Sequence, residues 1–185
     1  GRISAIIQKA SNLKTGEKRV RFTRFDSIDD KAVAAALFGA VEDFARTNGM
    51  DTVCGPLGFS DLEREGLLIE GFDELSTFEE QYNAEYYPAL LDSCGYKKEV
   101  DWVESKIYLP EDPEGIAAME KMSDFVMKRY GLRIGEAKNV KDFLNRYADG
   151  FFELLDVAYD GLYGTVPFTD GMKKMMMDNF RLIID

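Results

Sequence analysis

The chain has no histidine among its 185 residues. That excludes Ser–His–Asp and Cys–His catalysis, HExxH zinc sites and histidine-based pH switching together. Cysteine is nearly as scarce, with only Cys54 and Cys94, at no metal-type spacing. Two sulfurs cannot complete a structural zinc site. They read as reduced, mostly buried thiols of a cytoplasmic protein, and no metal is expected. No apolar run approaches the ~20 residues that span a bilayer, and no signal peptide is visible. Positive charge is in deficit too: 23 Lys and Arg face 34 Asp and Glu, for a net charge of −11. Nucleic-acid backbones and anionic membrane surfaces both select basic surfaces, so neither is an expected partner.

What is present is the composition of a globular protein, 45% hydrophobic and 31% charged. A chain of this size buries roughly 70% of its unfolded surface and needs no cross-link to fold. It opens in strand-like sequence after Gly1 and closes just beyond the apolar run Leu182–Ile184. Both ends therefore read as cuts through a longer protein.

Ile3–Ile7 reads as a short buried strand, and Asn12–Gly16 carries turn chemistry that would return Lys18–Asp26 antiparallel to it. In the second strand Val20 and Phe22 share a face while Phe25 falls on the other. A bulge near Thr23–Arg24 restores the phase, and burial on both faces would also account for it. Lys31–Asn48 is the clearest element, a helix with Val33, Ala36, Leu37, Ala40, Val41, Phe44 and Ala45 as its apolar face. Asp29 or Asp30 can cap its start, and Asn48-Gly49 ends it. Met50–Cys54 follows as a buried strand closed by Gly55-Pro56, which makes a βαβ unit with parallel pairing.

Further on, Gly58–Gln81 is loop-rich around a strand-like Gly66–Glu70. Pro88 opens a short helix ending at Cys94-Gly95, and Tyr96–Leu109 reads as one or two closing strands. Asp112 and Pro113 start a helix to Tyr130, with Ile116, Met119, Phe125 and Val126 as candidate core. Leu132–Ala137 is strand-like. Val140–Leu162 is a long helix with Phe143, Leu144, Tyr147, Phe151, Leu154, Leu155 and Ala158 on its apolar side. A last helix follows Pro167-Phe-Thr169 and ends in the Leu182–Ile184 run; its cluster Met172, Met175, Met176 and Met177 is a core stripe or a pliable face. The organisation expected is residues 1–109, a connecting helix over 110–131, and a final segment 132–185.

The order Arg21–Asp26 into Lys31–Asn48, then Met50–Pro56, then Asn83–Tyr96 ending in Cys-Gly-Tyr resembles the later part of the GNAT superfamily of acyl-CoA N-acyltransferases. Gly55-Pro56, Gly66–Phe72 and Tyr82-Asn83 resemble a bacterial branch that carries two GNAT-like units in tandem. The resemblance covers about 110 residues. It implies an α/β fold with a mixed, mainly antiparallel sheet and flanking helices. Gly131–Asp185 resembles the start of such a unit, so the two pieces could complete one permuted or domain-swapped sheet, and a homo-oligomer could form through exposed or swapped elements.

The resemblance also implies an activity: transfer of an acyl group from acetyl-CoA or another acyl-CoA to a small amine substrate, beside a sheet splay at Phe25–Ile28. In such enzymes the coenzyme A pyrophosphate rests on backbone amides at a strand-to-helix turn, where the helix dipole favours an anion. The matching stretch is Phe25, Ser27, Ile28, Asp29, Asp30 and Lys31, with Asn83 nearby as a further contact. That turn contains no glycine, and its two aspartates would occupy the amides a phosphate needs. The tyrosine expected as general acid would fall at Leu91, four residues before Gly95, so Tyr86 and Tyr87 are the available substitutes. Glu70 is the first candidate base, beside Asp73, with Glu63 and Glu65 as alternatives. The competing expectation is a catalytically degenerate GNAT-like binding or structural module that has lost its coenzyme A site.

Overall fold

The computed structural model describes residues 1–77 and 80–183. The expected C-terminal Ile184 lies outside the described residues. The fold is mixed α/β, with six helices and one three-stranded sheet among those residues. The chain divides into two compact units: Gly1–Asp101 with Glu153–Thr169, and Trp102–Phe152 with the chain from Asp170 on.

In the first unit β1 (Arg2–Ile6) runs antiparallel to β2 (Arg19–Asp26), and β3 (Thr52–Cys54) lies parallel on the other edge of β2. One antiparallel and one parallel pair replace the mainly antiparallel sheet expected from sequence. Between β1 and β2 the chain forms a helix, not a turn: α1 (Lys9–Thr15), capped by the Gln8 side chain and ended by Gly16 at φ 73°. The polar residues that looked like turn chemistry have another use here. Asn12 Nδ2 donates to the Arg19 carbonyl at 2.9 Å, tying α1 to the start of β2.

The bulge is present. Arg2 pairs with Asp26 but Ser4 with Thr23, so β2 carries an extra residue there, and Arg24 adopts φ 52°. It brings Phe25 onto the face of Val20 and Phe22, and all three are buried. Helix α2 (Lys31–Thr47) covers that face with Ala34, Phe38, Val41 and Ala45. The buried stripe is thus rotated from the one expected, because Ala36, Ala40 and Phe44 face outward. Phe38 is the hub, with ring centroids 5.1 Å from Phe22, 4.9 Å from Phe25 and 4.6 Å from Tyr96. Gly55 follows β3 against the backbone of β2; a Cβ there would collide with the Phe22 carbonyl.

Helix α3 (Tyr87–Ser93) packs Tyr87 and Leu90 into the same core. Gly66–Glu70 and Tyr96–Leu109 form no strands. They have strand-like composition but pair with no sheet edge, and Val103 and Ile107 are more than four-fifths exposed.

In the second unit α4 (Pro113–Tyr130) has the expected cap, with Asp112 accepting from the Gly115 N–H, and it ends at Gly131. It buries nothing, so Ile116, Met119 and Phe125 are surface residues and Val126 is only half-buried. Leu132–Ala137 is irregular and adds no strand to the sheet, so one continuous sheet built from both ends of the chain is not formed. Its backbone is used by the next helix: the Tyr147 ring sits against Gly135, and its hydroxyl donates to the Glu136 carbonyl at 3.2 Å. Helix α5 (Val140–Tyr159) belongs to the second unit up to Phe152 and to the first beyond it; it buries Leu144, Ala148 and Phe152, while Phe151, Leu154 and Ala158 from the expected face are exposed. Helix α6 (Asp170–Ile183) buries Met172 and leaves Met175 exposed, so the methionine cluster is not one core stripe.

Candidate functional site

The turn from β2 into α2 meets Tyr86 and Tyr87, the N-cap and first residue of α3. Tyr87 Oη donates to Asp26 Oδ1 at 3.0 Å and accepts from the Ser27 N–H at 3.2 Å. Tyr86 Oη donates to the Ser27 carbonyl at 2.8 Å. Phe25 lies under the Tyr87 ring at 5.3 Å. Burial raises the Tyr87 pKa, with the Asp26 carboxylate adding to the shift against the Ser27 N–H. The phenol is thereby held neutral as a donor. Both hydroxyls brace the turn, and neither is aimed outward.

The helix start is closed to an anion. Asp30 Oδ1 accepts from the Ala32 and Val33 N–H groups at 2.7 and 3.3 Å, and the Asp30 carbonyl takes the Ala34 N–H. The Ala32 and Val33 amides are orphan donors of the kind a phosphate would need, and a carboxylate already complements the dipole there. Asp29, Lys31 and Ile28 sit exposed around this cap. As built, the turn does not fit a pyrophosphate. Asp30→Ala is expected to cost about 1 kcal/mol in urea unfolding, the value of a lost N-cap.

Asn83 and Glu70 lie elsewhere. Asn83 is buried and clamps a loop, accepting from the Leu68 N–H at 2.8 Å and donating to the Leu68 carbonyl at 3.1 Å. Glu70 is exposed on that loop.

A second polar centre, on the reverse face of β2, was hardly visible in sequence. Arg21, 3% exposed, donates to the Gly58 carbonyl at 3.2 Å, to Ser11 Oγ at 2.9 Å and to the Gly164 carbonyl at 2.8 Å. One guanidinium thus gathers α1, the loop after β3 and the segment after α5. Half-buried Glu65 lies in this region, its Oε2 3.6 Å from where a Cβ on Gly164 would stand. Its Oε1 is fully buried and has no hydrogen-bond partner. Burial pushes its pKa up to about 8; Arg21 opposes the shift, while Asp61 and Glu63 add to it. Of the candidate carboxylates, Glu65 is the one with the environment of an acid–base group. The available signal was Arg21 itself, a charge between Val20 and Phe22 in a strand buried on both faces.

Further along the same face, Arg19 holds Glu99 at 2.8 Å and Glu17 at 2.8 Å, and Tyr163 Oη donates to Glu99 at 2.7 Å. The hydrogen bond from Arg19 lowers the Glu99 pKa. Cys54 is buried beside them, and desolvation raises its thiol pKa against the pull of Arg19. That environment makes an inert thiol, not a nucleophile. Among the described residues no group of three or more Cys, Asp or Glu is placed to hold a metal, and no helix is long and apolar enough to cross a membrane.

These features define a mixed α/β protein with a buried arginine on the reverse face of its sheet and a half-buried carboxyl in the same region. No family model matches the sequence. Protein YghO of Escherichia coli (strain K12) is 28% identical over 187 residues, covering all of this chain and 46% of that protein. Bacterial ceramide synthase of Caulobacter vibrioides is 29% identical over 189 residues, again all of this chain and 47% of that protein. The chain spans about half the length of the curated relatives it matches. No solved structure matches.

Proposed function

We propose that the protein forms amide bonds, as a GNAT-like N-acyltransferase that joins an activated acyl group to a primary amine. The observation that carries this reading is the Glu65 carboxyl, with one oxygen buried and unpartnered beside Arg21. An amine must lose a proton as its nitrogen bonds to the acyl carbon and the bond from that carbon to the donor breaks. A carboxyl whose pKa sits near the working pH is suited to take that proton. The name of the Caulobacter relative supports the same chemistry, since a ceramide is an amide of a fatty acid and an amino alcohol. The donor in this reading is acetyl-CoA or another acyl-CoA, with its pyrophosphate held away from the α2 start, where Asp30 fills the amides. Tyr87 and Tyr86 shape the turn, and Glu65 replaces Glu70 as the base.

A second reading is favoured by that cap. With Asp30 on the amides and both tyrosine hydroxyls committed to the turn, the unit could be a GNAT-like module without a coenzyme A site. Isothermal titration with acetyl-CoA and palmitoyl-CoA separates the two. Saturable heat at sub-millimolar ligand is expected for the transferase, and no heat with either favours the module.

A further inference from the structure

Within the first unit the end of α5 and the chain after it enclose a cleft against α1 and the loop after β3. Its walls are largely apolar, from Leu155, Tyr159, Val166 and Phe168, and Asp61 and Asp156 stand among them. The Val166 N–H donates to Asp61 Oδ1 at 3.4 Å, and the Phe168 N–H donates to Asp156 Oδ1 at 3.1 Å. Each backbone group fixes one carboxylate through a single oxygen. The second oxygen of each has no hydrogen-bond partner among the described residues. The other charged lining residues, Lys14 and Asp160, are matched to each other at 2.8 Å. Paired ions aside, the cleft presents two oriented negative charges on an apolar wall. An anion or a neutral alcohol would leave that charge unanswered, whereas an ammonium on an apolar chain satisfies both features.

We propose that this cleft is a binding site for a primary ammonium group carried on an apolar chain, with the head between Asp61 and Asp156 and the chain along Leu155, Tyr159, Val166 and Phe168. The assignment rests on the amide-forming reading and names where the acceptor amine enters. Thr165 of the lining follows Gly164, against which Glu65 lies, and Asp61 of the cleft interacts electrostatically with Glu65, so the ammonium would be held on the Glu65 side of the fold.

The test is binding, not turnover. n-Octylamine, n-octanol and octanoate are titrated into the 15N-labelled protein at pH 7, below their micelle concentrations, and the amide signals of Val166 and Phe168 are followed. Octylamine is expected to shift both signals saturably, at concentrations at least tenfold below those at which octanol or octanoate acts. In Asp61→Asn/Asp156→Asn, where each Asn can still accept the backbone N–H, octylamine affinity should fall at least tenfold while the circular dichroism spectrum and melting temperature hold. If the double variant melts early, Asp61→Asn alone is measured and should lose at least threefold. Equal response to octanol, or octylamine affinity unchanged in the variants, overturns the site. Binding here without amide formation retains the site and rejects the transferase reading; amide formation with no shift at Val166 or Phe168 does the reverse.

Discussion

Arg21→Met is expected to destabilise the protein by about 2–5 kcal/mol, because it strands the polar groups that the buried guanidinium satisfies. The substitution removes donors to Gly58, Ser11 and Gly164, leaving the buried Gly58 carbonyl and the half-buried Gly164 carbonyl without them. Each group stranded in this way costs roughly 1–3 kcal/mol. It also removes a positive charge that offsets the burial of Glu65. Arg21→Lys should recover only part, because an ammonium lacks the planar fork that reaches several acceptors at once. Urea unfolding with a matched control measures this. Lys98→Ala breaks an exposed pair with Asp101 at 2.8 Å and should change stability by less than about 1 kcal/mol. An Arg21→Met loss no larger than the control would mean that β2 does not depend on its arginine.

Glu65 gives the second large effect, through pH. Its carboxyl is raised from 4.5 to about 8, so the folded protein keeps a proton that the unfolded chain releases near pH 4.5. Across this window the folded state binds more protons than the unfolded one, so stability falls as pH rises from about 4.5 to 8 and is level above. Glu65→Gln keeps the shape and removes the titration. The variant should match the wild type near pH 4 and exceed it above pH 8 by on the order of 3 kcal/mol, a figure reduced for the side chain's partial exposure. Melting temperatures of the two proteins at pH 4, 6, 7 and 9 provide the readout. Parallel curves at all four values would show a carboxyl with an ordinary pKa.

The part of the fold that the sequence made legible is the part where apolar periodicity and caps agree. Val20 and Phe22 alternate with charged residues, Asp30 precedes a long 3–4 repeat, and Pro113 with Gly131 brackets α4. Each signal is local, so each element forms where it is expected. The bulge was readable for a related reason: Phe25 is out of phase, and a buried strand cannot leave it so. One local reading failed, since Asn12–Gly16 was expected as a turn and forms the end of α1; the other failures were non-local. Tyr96–Leu109 and Leu132–Ala137 carry strand-like residues, but a strand exists only where an edge accepts it, and composition does not encode that edge. Helix α2 holds more apolar residues than one face needs, so its stripe could not be phased without knowing where β2 lies.

The site divides in the same way. Tyr86, Tyr87 and the Phe25–Lys31 turn do converge, because the short α3 returns over the βαβ unit. Their hydroxyls and amides are used within the fold, as the missing glycines and paired aspartates hinted. Glu65 could not be ranked above Glu63 or Glu70 from sequence, since its environment is made by Gly164 and Arg21, residues remote from it in the chain. Arg21 could have been noticed. A charge in a strand with apolar neighbours on both sides must be satisfied by something, and that something proved to be the second polar centre.

The most direct measurement is mass-spectrometric detection of product after the protein is incubated with palmitoyl-CoA or acetyl-CoA and n-octylamine near pH 8. The amide-forming account predicts N-acyl octylamine in wild type and a loss of roughly 10²–10⁴-fold in Glu65→Gln, the usual contribution of a positioned base. Amide formed equally by wild type and variant, or none formed from either donor, would contradict it.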